Sequence, residues 1–199
     1  MNQLPKVTII TICYNLVHEI ERTLQSIIEQ TYPNIEYIVV DGGSTDGTLL
    51  VIERYADRIT RYISEKDEGI YDAMNKGVRL SSGEYINFMN GGDWFKDSTV
   101  VERIFSNADF THLRSFDLIY GNHEVYYPTF IKYKTALSAD NLWKGMVCSH
   151  QSLFVKTALL KAHPFETRYQ LSADFDFIFN RWADQCSFYH ADLVVACYR

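Results

Sequence analysis

The chain has 199 residues, 47% of them hydrophobic, which suits one folded domain with a full core and excludes a disordered or fibrous chain. Its net charge is −6 with no basic run, which argues against a nucleic-acid partner, whose phosphates need clustered Lys and Arg. A single nucleotide stays open, because a metal and backbone N–H groups can hold one. The four cysteines (Cys13, Cys148, Cys186 and Cys197) form no C-x-x-C pair, so a zinc site is not expected and a reducing compartment fits. No apolar leader opens the chain, and no run reaches the ~18 apolar residues of a membrane span. The expectation is a soluble, cytoplasmic protein, with peripheral contact at the inner face of a membrane left open. Fourteen tyrosines raise the aromatic share to 15%. They read first as core and rim, and second as a groove where rings stack on a base or a sugar.

In chain order, residues 7–13 (VTIITIC) are continuous and β-branched, as in a strand buried on both faces. Ile20, Leu24, Ile27 and Ile28 follow at helical spacing. Residues 35–40 predict a second strand with Asp41 at its carboxyl end. A GGSTDGT turn, a helix through Leu49, Val51, Ile52 and Tyr55, and a third strand at 59–63 come next. This βαβαβ alternation predicts a mostly parallel sheet with right-handed crossovers, which binds ligands beyond the carboxyl ends of its strands. A helix at 69–80, a fourth strand at 85–89 ending in Asn90-Gly91-Gly92-Asp93, and a short helix at 100–105 complete the front half. The back half changes pattern. Residues 118–120 and 124–133 alternate like antiparallel strands with Asn122 near a turn. A strand at 153–155, helices at 158–162 and 176–182, and a last strand at 193–198 finish the chain.

Polar residues at the strand ends are the candidates for chemistry. Asp41 is read as a ligand to a ribose or base, because an acid there has little else to pair with. Asp46 reads as a helix cap. The glycines follow the acid instead of preceding it as G-x-G-x-x-G, which counts against a dinucleotide fold. One carboxylate in Asn90-Gly91-Gly92-Asp93 suits Mg²⁺ or Mn²⁺ bridging two phosphate oxygens. Asp72, Asn75 and Lys76 share a helix face, and Asp67 precedes it. His150 lies in a polar SHQS segment. Asp174 and Asp176 lie about 200° apart on a helix, so only one of them can face the cleft as a general base.

The segments VTIITICYN, IEYIVVDGGSTDGT and SEKDEGIYDAMNKGVRLSSGEYINFMNGGD, in that order, resemble the inverting nucleotide-sugar glycosyltransferases of family 2, which have the GT-A fold. The resemblance implies an α/β domain over 1–199, with a nucleotide-sugar-binding half at 1–97 and an acceptor-binding half at 98–199. Its sheet would be mostly parallel, with helices on both faces and a small antiparallel portion in the second half. The implied donor is a UDP, GDP or TDP sugar with Mn²⁺ or Mg²⁺. The implied acceptor is a carbohydrate or lipid-linked saccharide in surface polysaccharide or glycolipid synthesis. By the same resemblance Tyr14, Asp41 and Asp67 contact the nucleotide, Asp93 meets the metal, and Asp174 is the general base. Lys76 and Asn90 are placed on the donor side and His150 on the acceptor side. Asn90 and Gly92 stand where the family often has acids, and Gly42 stands where it often has a second Asp. A non-catalytic sugar-binding module of the same fold is the alternative. A nucleotidyltransferase would need a Gly-rich basic loop after the first strand, which TICYNLVHE lacks.

Overall fold

The structure is a computed structural model that describes residues 4–106 and 113–199. Strand β1 (Val7–Cys13) is buried at every position, as its unbroken β-branched run requires. It pairs in parallel with β2 (Ile35–Asp41) and with β4 (Tyr85–Phe88), and β2 pairs in parallel with β3 (Arg61–Ser64). Helices α1 (Ile20–Ile28), α2 (Thr48–Glu53) and α3 (Ile70–Leu80) make the crossovers. These four strands therefore end at one edge. Beyond them lie β5 (Trp94–Phe95), α4 (Val100–Phe105), β6 (Leu118–Tyr126), β7 (Ile131–Lys134), β8 (Leu153–Lys156), α5 (Thr157–Ala162), α6 (Ala173–Ala183) and β9 (Phe188–Tyr198). Two 3-10 turns, Ala139–Lys144 and His150–Ser152, precede β8. The sheet order is β3-β2-β1-β4-β8-β6-β9-β5, with β7 on β6.

The alternation along β1 divides the core. Val7 and Ile9 pack with Ile20 and Leu24 of α1, Ile52 of α2 and Phe105 of α4 on one face. Ile10 and Ile12 pack with Met74 and Val78 of α3, Leu160 of α5 and Phe177 of α6 on the other. Helices thus cover both faces, as expected. The antiparallel pairings gather in the second half, where β8 meets β4 on one side and β6 on the other. Among the described residues no helix is long and apolar enough to cross a membrane.

Three local expectations are corrected. Asn122 is not near a turn: β6 runs unbroken from Leu118 to Tyr126, and Asn122 is buried within it. Its amide nitrogen donates to Tyr133 Oη (2.8 Å), and its carbonyl accepts from Ala136 N–H (2.9 Å), so a polar residue is tolerated mid-strand. The register between β6 and β9 shifts on both sides of it. The last strand begins at Phe188, five residues earlier than its apolar pattern suggests. Helix α6 begins at Ala173, which places both Asp174 and Asp176 in its first turn.

Helix α3 lies hard against β1 because Gly77 has no side chain. A Cβ built there would stand 2.6 Å from Ile10 Cγ2 and 3.1 Å from Cδ1, and Ile10 is fully buried. On an open helix, Gly→Ala is worth about 1 kcal/mol of added stability. Here overpacking, about 1–3 kcal/mol, outweighs that gain. Gly77→Ala should lower the urea midpoint, a net loss on the order of 1 kcal/mol, with an unchanged slope. A higher midpoint would mean that α3 stands off the sheet.

Candidate active site

The parallel strands deliver their carboxyl ends to a cleft of about 810 Å³. Tyr14, Gly42, Asp67, Ile70, Asn90 and Asp93 are among its lining residues. Tyr14 follows β1 and is 61% exposed, which leaves a ring free for stacking. The floor beside it is open because residue 42 is glycine. A Cβ there would meet Asp67 Oδ2 at 2.8 Å and Tyr14 at 3.4 Å.

Five carboxylates surround this edge in different settings. Asp41 is fully buried and does not line the cleft. The Ser44 hydroxyl and backbone N–H (3.0 Å) and the Ser64 hydroxyl (2.6 Å) all donate to it. The premise that it lacks partners is therefore wrong. Asp41 holds the ends of β2 and β3 and the turn after β2. Asp46 accepts Thr48 N–H at the start of α2 (2.9 Å) and Val17 N–H (3.0 Å), which closes the turn over the end of β1.

Asp67 is the acid that faces the cleft in this region. Lys76 Nζ donates to it at 2.7 Å and lies 3.0 Å from Glu65 and 3.3 Å from Asp72. Burial alone would lower the Lys76 pKa, but hydrogen bonds to Asp67 and Glu65 override it and raise the ammonium above its ordinary range. Lys76 is not among the residues lining the cleft. In this structure the lysine holds Asp67.

Asp93 ends the β4 turn. Thr23 of α1 fixes that turn, accepting Gly92 N–H (2.9 Å) and donating to the Asp93 carbonyl (2.7 Å). Burial pushes the Asp93 carboxyl up to about 6, against the opposing hydrogen bond from Gln151 and the charge of His150. The Gln151 amide donates to Asp93 Oδ2 at 2.7 Å. Among the described residues no group of three or more His, Cys, Asp or Glu is placed to hold a metal ion. One desolvated carboxylate with a single amide donor fits a hard cation whose remaining ligands are phosphate oxygens and water.

Asp174 opens α6. Its N-cap, Ser172, has φ 70 and makes no side-chain cap, and Asp174 itself accepts from two side chains. Tyr71 Oη donates to its Oδ1 at 3.0 Å, and His150 Nδ1 stands 3.3 Å from Oδ2. Burial alone would raise this carboxyl, but His150, then Tyr71, hold it below its ordinary value. The Asn90 amide nitrogen meets His150 Nε2 at 2.9 Å. A ring proton on Nδ1 points at Asp174. Among the described residues the buried Asn90 Oδ1 has no hydrogen-bond partner, and Asn90 lines the cleft.

The structure therefore joins Asn90, Asp93, His150 and Asp174, which the sequence scatters over 85 positions. Gln151 and Tyr71 were missed. The polar SHQS segment was the signal for Gln151. Tyr71 gave none, because it reads as an apolar helix residue.

Comparison with known proteins places the chain in a family. The model of Glycosyl transferase family 2 matches residues 8–161. A Mycobacterium bovis protein named PGL/p-HBAD biosynthesis glycosyltransferase is 32% identical over 178 residues, covering 87% of this chain and 68% of its own length. Staphylococcus aureus TarS 1–349, crystallised with UDP, matches with a TM-score of 0.79 at 19% identity, over 96% of this chain and 60% of that one. The mannosyltransferase PcManGT from Pyrobaculum calidifontis, crystallised with GDP-Man and Mn²⁺, matches at 0.74 and 20% identity, over 98% of this chain and 57% of that one. The chain spans only 36% of a longer TarS chain it also matches. At such identities the structural likeness establishes the fold, which is GT-A. With the family's pattern running through most of its length, and a relative at 32% identity along most of the chain, this protein belongs to glycosyl transferase family 2.

Proposed function

We propose that the chain transfers a sugar, with inversion, from a nucleoside diphosphate sugar to an acceptor hydroxyl. The observation that carries this reading is two unlike carboxylates joined by one polar chain: Asp93 lines the cleft, and Asp174 lies behind it, reached through Asn90 and His150. Asp93 is desolvated and raised, Asp174 is held ionised by His150, and Asn90 and Gln151 link the two segments. Two acids with environments pulled apart suit one charge-binding role and one proton-accepting role.

The nucleotide would lie along residues 1–97, with Tyr14 against the base and Asp67 toward the ribose. Asp174 accepts the proton of the acceptor hydroxyl. The hydroxyl oxygen attacks the anomeric carbon from the side opposite the diphosphate, the carbon–phosphate-oxygen bond breaks, and the diphosphate leaves with that electron pair. A single displacement of this kind inverts the anomeric centre. Asp93 and the donor's diphosphate would hold a divalent cation, Mn²⁺ or Mg²⁺, which supplies positive charge beside the leaving group. His150 fixes the orientation of Asp174 through Nδ1. The relative's printed role in PGL/p-HBAD biosynthesis and the bound UDP-GlcNAc and GDP-Man of the structural neighbours favour a nucleotide-sugar donor. A carbohydrate or lipid-linked saccharide of a bacterial surface glycan or glycolipid is the acceptor class that fits them.

Two variants separate the carboxylates on α6. Asp174→Asn should retain nucleotide binding by calorimetry and lose about 10²–10⁴ of the transfer rate. Asp176→Asn, in the same helical turn, should change the melting temperature a little and leave the chemistry. Transfer at near wild-type rate by Asp174→Asn would place the base elsewhere.

Asp93 should show opposite effects on activity and stability. Its folded pKa is raised, from 3.8 to about 6. The ionised form is thus disfavoured in the fold, and stability falls as pH rises from about 4 through about 6. In chelator, Asp93→Asn should gain on the order of 2 kcal/mol above pH 6 and nothing at pH 4, while metal-dependent turnover disappears. Wild-type turnover that survives EDTA would remove the cation from the reaction.

A further inference from the structure

A second concavity, of about 780 Å³, lies on the acceptor half. Tyr120, Asp140, Trp182, Gln185, Phe188 and His190 are among its lining residues, and none of them lines the cleft of Tyr14 and Asp93. Trp182 sits eight residues beyond Asp174 on α6, about 12 Å along the helix axis. Tyr120 and His190 are cross-strand neighbours on β6 and β9, and Tyr120 pairs with Leu153, next to the His150–Ser152 turn. The groove therefore shares α6 with the proposed base and lies about two helical turns along it.

Its walls are rigid rings. His190 is backed by the buried Tyr120, with which it stacks at 5.1 Å and 11° between planes. The Tyr120 hydroxyl donates to the Leu137 carbonyl (3.0 Å), and His190 Nε2 meets Asn122 Oδ1 (3.2 Å), so neither ring is free to turn away. Trp182 is half-buried and braced by Phe179 at 5.6 Å. Between the rings stand short polar groups. Ser138 accepts Asp140 N–H and donates to its carboxylate (3.0 Å), and among the described residues no ion pair engages Asp140. Gln185 reaches the groove from a backbone with φ 61, a left-handed conformation that is uncommon outside glycine.

The chemistry of these walls selects the ligand. Among the described residues no Lys or Arg lines the groove, which gives a nucleotide or phosphate no charge partner in that lining. Flat apolar rings beside a carboxylate, an amide, an imidazole and a hydroxyl suit a ring with apolar faces and an edge of hydroxyls. The volume is that of a small-molecule site. We propose that this groove is a second carbohydrate-binding site, holding a neutral sugar unit of the acceptor chain while another unit of that chain lies at Asp174. The acceptor is then an oligosaccharide. Its identity as the acceptor rests on the transferase reading; the binding itself does not.

The test uses the 199-residue chain on an array of immobilised neutral oligosaccharides, with free UDP and Mn²⁺ as competitors. Cys186 also lines the groove and is the one cysteine that is not buried. The chain should bind one class of oligosaccharide, excess UDP with Mn²⁺ should not displace it, and that oligosaccharide should slow maleimide labelling of Cys186. Trp182→Ala and Asp140→Ala should each weaken binding about tenfold. Asp140 is exposed, so its variant decides the matter should Trp182→Ala fail to fold. Absence of any bound glycan, undiminished binding by Asp140→Ala, or displacement by UDP would overturn the proposal. Donor hydrolysis by the wild-type chain, measured alongside, separates the two readings. Hydrolysis without glycan binding removes the groove, and glycan binding without hydrolysis removes the transferase.

Discussion

The meeting of the two halves depends on the side-chain amide of Asn87. This residue is fully buried in β4. Its Nδ2 donates to the carbonyls of Gln151 (2.8 Å) and Leu153 (2.9 Å), across the seam where the parallel strands give way to β8. Each such bond contributes about 1 kcal/mol net, and the Asn87 Oδ1, buried with no partner among the described residues, offsets part of that gain. The contact seats the His150–Ser152 turn against the end of β4. His150 then reaches Asn90, and Gln151 reaches Asp93. A residue three positions before the candidate site thereby decides which back-half side chains enter it.

Around that seam one chemical group is used in several ways. Asp41 is saturated by serines and holds strand ends together. Asp67 is held by the Lys76 ammonium and turned to the cleft through the space left by Gly42. Asp93 is desolvated with one amide donor, and Asp174 is kept charged by a histidine and a tyrosine. The number and kind of hydrogen-bond donors around each carboxylate separates architecture from chemistry.

The front half was legible because its signals are local. A two-sided buried strand has no polar interruption, and the strand ends carry their own polar residues, so β1 and β2 and the edge they share could be placed from Val7–Cys13 and the residues around Asp41. The partners of Asp41 were not foreseen. Ser44 stood three residues away, but Ser64 comes from the next strand, 23 positions on. The back half was harder because its polar residues are buried. Asn122 breaks the pattern of β6, and His190 and Asp192 hide the first part of β9, although partners across the sheet satisfy them. Gln151 and Tyr71 escaped for a related reason. Their partners are Asp93 and Asp174, which lie 58 and 103 positions away.

The central claim is that Asp93 and Asp174 serve one bound donor at the carboxyl edge of the sheet. Paramagnetic broadening of backbone amide signals by Mn²⁺ in the presence of UDP or GDP tests it most directly. The account predicts broadening at Asn90–Asp93, at His150 and Gln151, and at the first turn of α6, with the amino ends of β1 and β2 left sharp. Broadening that spares either Asp93 or the start of α6 would contradict it.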